Sequence, residues 1–222
     1  MLGLLGAASA EAGTIAGRVE AQGPAAPGQG SDGAYASLQY KFAEKVDYGH
    51  LRDFVVYLDQ DVPGTEGQVT AGAEVTQRNV DFDTHVGFEH HVLPIAVGSA
   101  VRWPNTDDIF HNVFSLSEAK EFDLGMYTKD KVKEVVFDKV GQVDVFCAIH
   151  SKMHCVVLVL PNRCFAVTTG RGRYLIENVP AGTYRIKAWH ERLPAVTKTV
   201  VVPADGAATV DFTLGFADLP KP

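Results

Sequence analysis

Long apolar runs are missing from this 222-residue chain, and none approaches the ~18 residues needed to cross a membrane as a helix. Cysteine is scarce: three residues, an odd number, exclude the dense disulfide framework of small secreted scaffolds. Basic residues are neither clustered nor in excess. Twenty Lys and Arg against 27 Asp and Glu leave a formal net charge of −7, which argues against nucleic acid as a partner. Sustained helical periodicity is absent, so a helix bundle is excluded. Neither Gly-x-Ser-x-Gly nor His-Glu-x-x-His occurs. Gly28 to Gly33 match Gly-x-Gly-x-x-Gly, but they neither follow a strand nor open a convincing helix, so no dinucleotide site is inferred. The neighbouring carboxylates Asp107 and Asp108 read as turn residues rather than an acid–base pair.

What is present is a succession of short β-branched and aromatic runs, punctuated by Gly, Pro, Asp and Asn. Strands are expected at 14–20, 53–59, 91–97, 100–104, 110–115, 134–138, 142–148 and 155–160. A second group follows in FAVT, RYLIENV, TYRIKAWH, AVTKTVVV and ATVDFTL. Residues 21–35 and 60–72 read as loops, 38–53 as a stretch holding a short helix, and 116–132 as a connection. The pattern is all-β, a sandwich or barrel. With 46% hydrophobic residues the chain can bury a core without metal or disulfide support. A boundary is expected near Pro161-Asn162. Beyond it Tyr174 and Ile176, then Tyr184, Ile186 and Ala188, alternate with exposed positions around a turn at 179–182, as in a hairpin.

The chemistry concentrates in Cys147-Ala-Ile-His150-Ser-Lys-Met153, with His111 upstream. One thiolate, two imidazoles and one thioether form the ligand set of a blue-copper electron-transfer site. Period-two alternation puts Val143, Val145 and Cys147 on one face of a strand, so the cysteine ends an inward apolar row. The same rule puts His111 with Val113. In this reading Cys147, His111 and His150 are equatorial ligands of one type 1 copper and Met153 is axial, with Phe110, Phe114, Val145 and Phe146 as the apolar surround. Each residue alone has a plainer reading: a satisfied core histidine, a gap-filling methionine, a small buried thiol. Their joint spacing favours the metal. Zinc is the rival, through Cys147, His150, Cys155 and His111, or His154 in place of one of these. The gap to Cys155 suits zinc poorly, and that set leaves Met153 unused. Cys155 and Cys164 read as two unrelated buried thiols, with a disulfide as the alternative. His85, His90 and His91 read as a polar lead into a strand, and His190 as surface.

HVLPIAVGSAVRWPNTDDIFHNVFS followed by VFCAIHSKMHCVVLVL resembles the cupredoxins, close to the methylamine-utilisation cupredoxin-like proteins, with an amicyanin-like ligand loop. The likeness is specific over about residues 86–161. It implies a Greek-key β-sandwich, the ligand set His111, Cys147, His150 and Met153, His150 as a near-surface electron port, and Asn112 bracing the Cys147 loop. Proline usually flanks the second histidine of such loops; here Ile149 and Ser151 do. GRGRYLIENVPAGTYRIKAWHERLP resembles a carboxypeptidase-regulatory-like (prealbumin-like) β-sandwich, a packing or docking module.

The expected organisation is a signal-peptide remnant at 1–10, a cupredoxin-like domain with an amino-terminal extension at 11–161, and a small β-sandwich at 162–222. Ala8-Ser9-Ala10 fits a cleavage site although a basic leader is missing, which implies a periplasmic or secreted protein. The expected function is one-electron transport between redox-protein partners, without catalysis. Copper carrier or sensor, and a zinc-stabilised or metal-free interaction module, are the alternatives.

Overall fold

The computed structural model describes residues 12–23, 46–87 and 91–216. The export segment at 1–10, most of the 21–35 loop with Gly28 to Gly33, residues 38–45 and His90 lie outside the described residues. Strands β1 (Ala12–Gln22), β2 (Val55–Leu58), β3 (Thr76–Arg78) and β4 (Asp81–Asp83) come first. There follow β5 (Val92–Ala96), β6 (Ser99–Pro104), β7 (Phe114–Ser117), β8 (Lys120–Asp123), β9 (Val132–Phe137), β10 (Gly141–Phe146) and β11 (His154–Leu160). Last come β12 (Phe165–Val167), β13 (Arg173–Pro180), β14 (Gly182–His190), β15 (Leu193–Val202), β16 (Ala207–Thr209) and β17 (Phe212–Gly215). The chain is all-β; a 3-10 turn at Gly170–Gly172 is the only helical element among the described residues.

The strands fall into two sets. In the first, a sheet ordered β5-β11-β10-β7-β8 is joined by the pairs β6-β9 and β3-β4. Val101, Trp103, Phe137, Val143, Val145, Val157 and Val159 fill its core. In the second, β13-β1-β16 with β17 on β1 faces β12-β2-β14-β15. Ile15, Val56, Leu58, Ile176, Ile186, Phe212 and Leu214 lie between those sheets. The expected boundary near 161 does not separate the two sets, because β1 and β2 precede it and pair with strands that follow it. In mid-strand β1, a Cβ on Gly17 would stand 1.9 Å from the Val210 carbonyl oxygen, so only glycine admits this close approach.

β11 joins the two sets. Cys155, Val157 and Val159 point into the first core. Val156, Leu158 and Leu160 point the other way, onto Val55 and Tyr57 of β2, with Phe165, Val167 and Trp189 packed around them. A strand buried on both faces needs an unbroken apolar sequence, which is why CVVLVL shows no alternation.

Several expectations change. Residues 46–53, the described part of the expected helix, are turn and irregular structure. The strand expected at 110–115 begins only at Phe114. The connection at 116–132 contains β8, hairpinned onto β7. The hairpin expected from β13 and β14 is not one: β13 pairs with β1 and β14 with β2 and β15. The alternation was legible, since Tyr174, Ile176, Tyr184, Ile186 and Ala188 are all buried. These faces meet across a core rather than side by side, so the turn at 180–182 carries the chain from one sheet to the other. His190, expected at the surface, is buried at 5% exposure beside Phe54, with ring centroids 5.0 Å apart.

Candidate metal centre

The site lies at one end of the first core. Val143, Val145 and Cys147 form an inward row at 0%, 0% and 6% exposure, the alternation that β10 imposes. The chain then turns back tightly. The Met153 N–H donates to the His150 carbonyl at 3.0 Å, and the Cys147 N–H to the Met153 carbonyl at 3.3 Å. This closes the loop before β11 begins. His111 sits on an isolated bridge rather than in a strand, exchanging backbone hydrogen bonds of 3.1 and 2.9 Å with Tyr127. His111 and Val113 are both fully buried, as their shared face requires.

Three donors converge. The metal-ligating atoms of His111, Cys147 and His150 all lie within 4.8 Å of one another. His111 Nδ1 is 3.0 Å from His150 Nδ1, and Cys147 Sγ is 3.6 Å from the same nitrogen. Donors bonded about 2.0–2.3 Å from one ion stand about 3–4 Å apart, so this trio fits a single coordination sphere. The far side of His111 is already committed, with Nε2 lying 2.8 Å from Asp107 Oδ2. An ionised carboxylate accepts only, so the ring proton is on Nε2 and the Nδ1 lone pair faces the other donors. Burial pushes the Asp107 carboxyl up, but hydrogen bonds from the Val80 N–H, His111 and the Asn79 N–H outweigh it and hold the pKa below its ordinary value.

Asn112 ties the two chain segments together. Its N–H points at Cys147 Sγ at 3.5 Å, and its Oδ1 accepts the Ala148 N–H at 3.3 Å. Its Nδ2 donates to Asp123 Oδ1 at 2.7 Å, an oxygen that also accepts the Gly125 N–H at 2.7 Å. The Cys147 sulfur is therefore held from a segment remote in sequence.

Met153 is 1% exposed and belongs to the same core as Cys147. Of the donors named for zinc, His111, Cys147 and His150 are this same trio, and Cys155 and His154 do not join it. Cys155 is wholly buried in the apolar core and its thiol is pushed up by that burial. His154 faces away, 3.2 Å from Asp144 Oδ1 and stacked on Phe146. Neither joins a metal-binding group among the described residues. Cys155 and Cys164 are unbonded and lie in different cores. His85 pairs with Thr76 at 2.8 Å and joins no such group either. Of the expected apolar surround only Val145 is fully buried; Phe110 and Phe146 are 55% and 39% exposed, and Phe114 is half-buried. The residue that sequence reasoning missed is Asp107. Its turn position was legible, but its contact with His111 depends on chain geometry that alternation rules do not describe. A cavity of about 670 Å³ opens elsewhere, between Thr70–Glu74 and Phe165–Val167, and none of the donors lines it.

No family model and no curated protein matches the chain. Among solved structures it is similar to a Cu(I) form of an amicyanin mutant, at 22% identity over 47% of this chain and 97% of that one, TM-score 0.35. It is also similar to a purple cupredoxin from Nitrosopumilus maritimus, at 22% identity over 39% of this chain and 98% of that one, TM-score 0.32. A copper-containing nitrite reductase from Thermus scotoductus SA-01 matches at 21% identity over 39% of this chain, TM-score 0.35, and the chain spans 22% of that protein's length.

Proposed function

We propose that the chain is a cupredoxin-like one-electron carrier in which His111, Cys147 and His150 would hold a single copper ion, with Met153 as a weaker fourth donor. The observation that carries this reading is the convergence of two imidazole Nδ1 atoms and one cysteine sulfur at 3.0 and 3.6 Å, with Asn112 tying the two segments that carry them. Bound copper supplies a Cu(II)/Cu(I) couple. The chain's own contribution is to hold the donors still. His111 is pinned by Asp107 and Cys147 by Asn112, so little needs to move when the charge at the site changes.

His150 is the partly exposed member of the set and serves as the electron port. Ile109 and Phe110 before His111, and Ile149 before His150, are 45%, 55% and 54% exposed and offer an apolar surface to redox-protein partners. No helix among the described residues is long and apolar enough to cross a membrane. We assign the protein to the periplasm or the secreted fraction, give it no catalytic role, and read 162–222, completed by β1 and β2, as a packing module.

The test is spectroscopic. Copper-loaded oxidised protein should show an intense thiolate-to-Cu(II) band in the visible and reversible one-electron voltammetry. Cys147→Ser should abolish the band while leaving the β-sheet circular dichroism unchanged. A colourless protein that retains one tightly held zinc after copper-replete purification would sink this reading.

A further inference from the structure

The hairpin of β3 and β4 is closed by Asn79 and Val80, both in the left-handed region at φ 55° and 59°. Glycine is the residue suited to the second such position, and a β-branched side chain there is a backbone outlier. The strained tip has an evident use. It aims two successive N–H groups at one carboxylate: Asn79 N–H at Asp107 Oδ1, 2.8 Å, and Val80 N–H at Asp107 Oδ2, 2.9 Å. His111 Nε2–H supplies the third bond, also to Oδ2. The Asp107 side chain is 14% exposed and the His111 side chain 0%. The adjacent Asp108 is 85% exposed and is paired with Lys129 among the described residues.

We propose that Asp107 is the positioning residue of the metal centre: gripped by the hairpin tip, its carboxylate locks the His111 ring with Nδ1 toward Cys147 and His150 and favours the more highly charged Cu(II) state. The proposal rests on the copper reading above. Its physical basis is that a carboxylate hydrogen-bonded to a ligating imidazole fixes the tautomer and raises the ligand's basicity. Because the ring is shielded from water, the negative charge acts through a medium that screens it weakly. The more positive oxidation state gains more from it.

Asp107→Asn removes the charge at nearly constant shape. Cu(II) affinity should fall about tenfold or more while Cu(I) affinity falls less, and each tenfold difference raises the reduction potential by about 59 mV. Asp108→Asn should leave the potential unmoved. An unshifted potential in Asp107→Asn, or an equal shift in Asp108→Asn, overturns the proposal. If the wild-type protein itself gives no thiolate-to-metal band with Cu(II) or Co(II), the metal reading has failed rather than the role of Asp107. Should Asp107→Asn not fold, nitrogen NMR of metal-free wild-type protein decides: a His111 ring protonated on Nε2 supports the proposal, and one protonated on Nδ1 overturns it.

Discussion

His190 shows how much a single buried imidazole can govern. Burial lowers its pKa from the usual 6.5, Glu191 pulls it back up, Arg192 pushes it down, and the Arg52 backbone and Asp53 pull it up. Its Nδ1 accepts the Arg192 N–H at 3.1 Å, a bond that protonation would break. The unfolded chain takes the proton first as pH falls. Stability from this group is therefore complete above 6.5 and is lost as pH drops from there toward the folded value. Urea midpoints measured on either side of 6.5 should show a steeper acid loss for wild type than for His190→Gln. At this scale legibility depended on distance along the chain. The candidates Cys147, His150 and Met153 stand out because one tight loop holds all three, and the candidate His111 reads on the face it shares with Val113; the fold brings His111, Cys147 and His150 together. Asp107 was not found, because what makes it more than a turn residue is the tip at Asn79 and Val80, brought to it only by folding.

Among the elements, β11 carries the greatest structural burden. Leu160 is 1% exposed in the layer between the two sets of strands, and truncating it to alanine should cost about 2–5 kcal/mol by denaturant unfolding, because a rigid wall cannot collapse into the void. Its side chain faces away from the donors, so the thiolate-to-copper band expected of the proposed site should keep its position in Leu160→Ala. A shifted band would mean that the strand transmits strain to the loop. Strand identity was legible from β-branched alternation along most of the chain, and the unbroken CVVLVL signalled a strand covered on both sides. Strand partnership was not. Tyr174 and Tyr184 each mark an inward face correctly, yet nothing local distinguishes two faces lying side by side from two faces pressed together. β3 and β4 are three residues each and too short for any periodicity to register.

For the whole molecule, chain order and architecture diverge. β1 and β2 stand before the strands of the first set in sequence and belong with the strands after them, so the second set cannot assemble from its own carboxy-terminal stretch. Residues 162–222 expressed alone should give the circular dichroism of an unfolded chain, and supplying 12–60 in trans should restore sheet signal. Cooperative folding of the isolated stretch would refute the division drawn here. The middle of the chain is thus threaded as an insert between the first and last parts of another unit, an arrangement that a linear reading with a boundary at 161 could not reveal. The two-faced strand leaves a mark on how this sequence can change over generations. Positions 155, 157 and 159 answer to one neighbour and 156, 158 and 160 to another, so the stretch has almost no freedom to drift. A descendant that shed the second set of strands would have to repaint the latter three with polar side chains while leaving the former three untouched.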